Sequence, residues 1–180
     1  MNKITKVAVS CLLTLAVSAP IVTAPKPIEA AAKKSTVKQS YTPAERAYIK
    51  HQSNVLYKLR IQTEDFINFI EQADKYEDEE FAAIVMSKLD GWNETLKQAA
   101  KYRPQDVPGK FKKVQSLFVQ ATNYNTSAYQ IIHSAFLGDK ELSDAEMDSK
   151  MEKFVKQHFS FIGKASTFDQ EIKRLNKLYQ

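Results

Sequence analysis

From Met147 to Tyr179 every third or fourth residue belongs to one stripe: Met147, Met151, Phe154, His158, Phe161, Ala165, Phe168, Ile172, Leu175 and Tyr179. Spacings that alternate four and three put all of these side chains on one face of an α-helix. A stripe sustained over more than four heptads packs such a helix against others at a shallow angle. Turn formers are scarce, with four Gly and six Pro in 180 residues. That scarcity excludes a β-sandwich, a glycine-rich nucleotide fold and a low-complexity polymer, each of which needs many of them. With 43% hydrophobic and 11% aromatic residues the chain can bury a core, which argues against wholesale disorder.

Three further helices are written in the same spacing. Thr42-Pro43-Ala44-Glu45 supplies a capping Thr, a Pro at the first helical position and a Glu three residues after the cap, predicting a first helix from Thr42 to about Tyr76. Its stripe is Tyr48, Val55, Leu59, Phe66, Phe69 and Ala73, with Gln52 and Gln62 as polar members. A second helix should start in the acidic run Glu77 to Glu80, which suits the positive end of a helix dipole, and end near Tyr102. It carries Phe81, Val85, Leu89, Trp92, Leu96 and Ala99 on one face, which makes Trp92 a core residue. Two prolines and Gly109 break the chain between Arg103 and Gly109. A third helix follows through Phe111, Val114, Phe118, Ala121, Asn125, Ala128, Ile132 and Ala135, with Gly138 as the expected left-handed terminator. Ser143 and Glu146 form a second capping box and open the fourth helix. Short connections cannot return the chain along helices of this length, so successive helices must be antiparallel. The expected fold is all-α: an up-down-up-down four-helix bundle over residues 42–180. Gly91 and Gly163 lie inside helices, where each predicts a kink or a close helix contact.

Residues 1–32 read as a secretory signal peptide. Lys3 and Lys6 precede Val7 to Val22, a run with no charge that is too short to span a bilayer and is interrupted by Pro20. Ala19 and Ala24 are each followed by proline, so cleavage is expected after Ala30 or Ala32. The layout resembles that of proteins exported by Gram-positive bacteria. Cys11 follows Lys6 too closely to be a lipidation cysteine, and without it the mature chain has no cysteine and no disulfide. Residues 33–41 are polar and aperiodic and read as a flexible lead-in.

Chemistry is scarce. Helical bundles can hold di-metal centres through Glu-x-x-His pairs, but no such pair occurs, and no stripe contains an Asp or Glu. His51, His133 and His158 fall at different depths of three helices. No metal, cofactor or catalytic group is expected, and the chain reads as non-enzymatic, with a small helical enzyme as the remote alternative. Helix lengths place Gln62, Asn125 and His158 at similar height, which predicts a buried hydrogen-bonded layer that fixes helix register rather than a ligand pocket.

The charges are unevenly laid out. Residues 33–60 hold seven basic side chains and one acidic, and residues 64–94 hold ten acidic and two basic. Residues 97–113 and 153–180 each hold six basic, against one and two acidic. Residues 139–152 hold six acidic and two basic, and residues 114–138 hold none. An up-down order gathers the basic segments at one end and the acidic ones at the other. Helix dipoles do not explain this, because Arg46, Lys50, Lys110, Lys112 and Lys113 sit at helix starts and Glu71 and Asp74 at a helix end.

Two surfaces follow from this layout. The basic end, with Arg46, Lys50, Lys97, Lys101, Arg103, Lys110, Lys112, Lys113, Lys173, Arg174 and Lys177, is a candidate anion-binding surface. The outward positions of the charge-free helix are predicted to include Gln115, Gln120, Thr122, Asn123, Tyr129 and Gln130. Of these Gln120, Asn123, Tyr129 and Gln130 form a candidate neutral contact face for a glycan or protein. The expected function is surface binding at or outside the bacterial cell envelope, to an anionic wall polymer or another extracellular protein. The alternative is a self-assembling matrix subunit that associates weakly head to tail through its opposite charged ends.

Overall fold

A computed structural model describes residues 40–179. The expected signal peptide and almost all of the expected lead-in lie outside the described residues. Four helices pack around one core, with no strand among the described residues: α1 (Pro43–Ile70), α2 (Asp78–Ala99), α3 (Lys112–Phe136) and α4 (Asp144–Leu178). Single 3₁₀ turns at Ala73–Lys75, Pro104–Asp106 and Gly109–Phe111 fill the first two connections.

Both predicted capping boxes form. Thr42 Oγ1 accepts the Glu45 N–H while Glu45 Oε2 accepts the Thr42 N–H, and Ser143 and Glu146 repeat the arrangement. The helix ends differ from expectation. α1 stops at Ile70, six residues before Tyr76, because the Gln72 N–H turns back onto Phe69 O and a 3₁₀ turn follows. α2 stops at Ala99 rather than Tyr102. α3 starts at Lys112 after its own 3₁₀ turn and is capped by Leu137, whose N–H reaches His133 O. Gly138 is not a left-handed terminator, since its φ lies outside that region. A Cβ there would meet Ser134 O at 2.6 Å, so the position needs glycine for space instead. Gly163, by contrast, has nothing within 4 Å of where a Cβ would stand, so the expected close helix contact is absent there.

Aromatic rings mark how the helices meet. Phe69 late in α1 stacks on Phe81 early in α2, with centroids 5.0 Å apart, and Tyr48 early in α1 meets Tyr102 beyond the end of α2 edge-on at 5.0 Å. Along α1 and α4, Tyr41 stacks on Tyr179 at 5.5 Å. Phe66, 25 residues further on, meets Phe154, 25 residues further back, at 6.5 Å. Phe118 of α3 meets Phe168 of α4 at 6.3 Å. Tyr41 is therefore core and not the end of a polar lead-in: its ring is buried against Phe111 and Tyr179.

Part of the charge-free stretch owes its composition to position. α3 touches all three other helices, so Gln115 and Thr122, expected to face outward, are buried. Gln115 Oε1 accepts from Tyr48 Oη at 2.7 Å and from Gln52 Nε2 at 2.9 Å, while the Thr122 hydroxyl folds back on Phe118 O. A charge in these places would lose its hydration without a partner.

Candidate functional site

The expected polar layer does not assemble. Asn125 is fully buried, but its partners are Trp92, which donates Nε1–H to Oδ1 at 2.6 Å, and Thr63, whose Oγ1 accepts from Nδ2 at 3.1 Å. Thr63 in turn donates to Leu59 O. Gln62, one residue away, points to the α1–α2 seam and gives its Nε2–H to Gly91 O at 2.9 Å. His158 lies among Phe154, Phe159 and Phe161 with a buried, unpartnered Nδ1. Burial, and then the nearby Arg60, hold its pKa below the usual histidine value. Depth along the helix axis is right for all three residues, and rotation about it is wrong for two. Thr63, unremarked in the sequence, takes the place given to Gln62.

The basic end is built where the start of α1, the α2–α3 connection and the end of α4 meet, as the Tyr41, Tyr48, Tyr102, Phe111 and Tyr179 rings show. Its cations divide into three groups. Lys110 is turned inward, while Lys113 and Arg174, themselves exposed, are committed to a buried carboxylate. Lys110 Nζ lies 2.7 Å from Glu45 Oε1 and over the Tyr179 ring at 4.5 Å, with the Tyr41 and Phe111 rings 5.5 and 5.6 Å away. Lys113 and Arg174 clamp Glu171 at 2.9 and 2.6 Å. Glu171 is buried, although it lies outside the α4 stripe, and its ion pairs with Arg174 first and Lys113 second lower its pKa to about 2. Its three-residue offset from Arg174 and the position of Lys113 at the neighbouring helix start were the available signal.

Lys97 and Arg103 make exposed pairs with Glu94 and Asp106, three residues away in each case. Exposed pairs of this kind are screened by solvent and contribute little, so they do not withdraw a cation from other partners. Arg46, Lys50, Lys101, Lys112, Lys173 and Lys177 are exposed and have no carboxylate within ion-pair distance among the described residues. Lys101 lies over its neighbour Tyr102 at 5.5 Å.

The neutral face is only partly a face. Asn123 and Gln130 are exposed, and Gln120 is half-buried with its amide on Ser116 Oγ. Tyr129 is half-buried edge-on against Trp92 at 5.7 Å, which gives it a packing role. Among the described residues no three His, Cys, Asp or Glu side chains gather as metal ligands, and no helix is long and apolar enough to cross a membrane. Comparison with models of known families, with characterised proteins and with solved structures finds no match to this chain.

Proposed function

We propose that this is a secreted, non-enzymatic helical protein that acts at or outside the bacterial cell envelope by binding an anionic polymer through its basic end. The observation that carries the reading is the set of six exposed cations at that end without intramolecular carboxylates, Arg46, Lys50, Lys101, Lys112, Lys173 and Lys177. Charge fixed at helix starts against the dipole is self-repulsive, and a polyanion relieves that repulsion by exchanging its own counterions for them. An up-down-up-down order of the helices is part of the same proposal. It is supported by the ring pairs Phe69 with Phe81, Phe118 with Phe168 and Tyr41 with Tyr179. Export rests on the sequence of residues 1–32 alone.

The test is retention of the protein on purified wall polymer or anionic vesicles across a salt series. Retention that falls steeply with salt, and that Lys101→Glu with Lys112→Glu abolishes, supports the reading. Retention equal on neutral and anionic surfaces overturns it.

A further inference from the structure

A second face of the molecule carries a pattern that its own core does not use. On α1, Arg46, Lys50, Tyr57, Ile61, Glu64 and Glu71 fall at spacings of three, four or seven and so share one outward side: basic, then apolar, then acidic. On α4, Asp148, Glu152, Phe159, Lys173 and Lys177, at spacings of four, seven, fourteen and four, also share one side: acidic, then apolar, then basic along the chain. The α1–α4 ring pairs place Ile61 level with Phe159 and run the two helices in opposite chain directions. The two sequences of charge therefore match in space, with basic beside basic and acidic beside acidic.

At the middle sit three of the large apolar side chains that the fold leaves outside: Tyr57 is 63% exposed, Phe159 56% and Ile61 46%. Gly163, close to the centre of α4, has nothing within 4 Å of where a Cβ would stand. Nothing inside the molecule asks for glycine there, although it weakens the helix. None of the eight charged residues of this face has an ion-pair partner among the described residues.

The pattern is symmetric about its centre. Lys50 precedes Tyr57 by seven residues and Glu64 follows it by seven, about 10 Å each way. On α4, Glu152 stands ten residues before Ile162 and Lys173 ten residues after Gly163, about 15 Å each way. A two-fold axis through this level, perpendicular to the helices, brings Lys50, Lys173 and Lys177 onto Glu64, Glu152 and Asp148 of a second copy, Arg46 within about one helical turn of its Glu71, and the apolar centre onto itself.

We propose that two copies of this chain pair side by side and antiparallel through the α1–α4 face. Tyr57, Ile61 and Phe159 bury one another at the axis, and Lys50 and Lys173 of each copy meet Glu64 and Glu152 of the other. The contact is isologous, closes at two and leaves no end for a third copy. This goes beyond polyanion binding: Lys101 and Lys112, at the α2–α3 connection, stay free in the pair, while Arg46, Lys50, Lys173 and Lys177 become shared between the two partners.

The experiment is sedimentation equilibrium on the full-length chain, expressed with its own N-terminal segment and purified at low salt. The expected result is a mass twice that of the chain, with a dissociation constant that rises with salt. Lys50→Glu alone and Glu64→Lys alone should each sediment as monomers with unchanged helical circular dichroism. An equimolar mixture of the two should return to dimer, because in the mixed pair the two reversed charges face each other at one contact and the unaltered Lys50 and Glu64 face each other at the other. Wild-type monomer at every salt and concentration overturns the proposal, as does mass that keeps growing with concentration. A persistent dimer in the Lys50→Glu protein overturns it as well. Retention on polyanion by the Lys101 and Lys112 variant is read separately, so failure of one proposal leaves the other standing.

Discussion

The indole Nε1–H of Trp92 donates to Asn125 Oδ1 at 2.6 Å with both side chains at 0% exposure, and Asn125 passes the chain of bonds on to Thr63. Three helices are thereby tied at one level by groups that must be satisfied wherever they are buried. Asn125→Leu keeps the volume and strands the indole N–H, and should cost about 2 kcal/mol. Urea unfolding followed by the emission of the single Trp measures it. No loss of stability would mean that the bond is ornamental.

Glu171 should govern the acid limb of stability. Its folded pKa, held at about 2 by Arg174 and Lys113, lies below the unfolded carboxylate value of about 4.3. The unfolded state therefore takes up the proton first. The stabilisation is complete above the unfolded value and is lost as pH falls toward 2. Glu171→Gln should lower stability at neutral pH by about 1–3 kcal/mol and flatten the dependence between pH 4.5 and 2. Glu146, drawn down to about 2 by Lys140 and Ser143, leaves a residual slope.

His158 acts in a different window. Burial and Arg60 lower its pKa, so the unfolded imidazole binds protons more readily than the folded one, and stability falls as pH drops through the unfolded value near 6.5. Its buried Nδ1 has no partner. His158→Leu should therefore raise the melting temperature and remove the loss between pH 7 and 5. A lowered melting temperature at neutral pH, or a binding activity lost with the imidazole, would show that the histidine is doing something else.

Lys110 closes the basic end from inside. Lys110→Met keeps the aliphatic stem and removes the charge from Glu45 and from the Tyr41 and Tyr179 rings. A loss of about 1 kcal/mol is expected. Faster limited proteolysis immediately before Thr42 should accompany it, since Tyr41 is held there by the same cluster.

The neutral face can be divided by mutation. Gln130→Glu is exposed and should stay within about 0.5 kcal/mol of wild type, while Tyr129→Glu uncovers an edge of Trp92 and should cost more than about 1 kcal/mol. Thermal melts of the two proteins decide it.

Period and caps carried most of the fold. The stripe residues Leu59, Phe66, Phe81, Trp92, Phe118, Phe161 and Phe168 are all buried, and both capping boxes open their helices. What the sequence concealed was rotation and pairing. A polar residue at the right depth can face a seam or the centre, as Gln62 and Thr63 do on adjacent positions, and only neighbouring helices decide which. The basic end was legible as composition but not as bonding. Which lysine lies near a carboxylate depends on contacts between residues as distant as Lys113 and Glu171, and buried Glu171 has no apolar spacing to announce it. The acid-apolar-base order of the outward faces of α1 and α4 became visible only once the two helices were set side by side.

The stacking of Tyr41 on Tyr179 makes the described chain nearly a ring. A few linking residues would close it, and a new opening could be cut in the exposed connection of residues 138–143, at the opposite end of the molecule, without severing a helix. Such a circular permutant of residues 41–179 would keep the contacts between the helices while opening the chain at the acidic end instead of the basic one. The place where a label or linker is attached and the charge displayed at that end are thus separable by engineering.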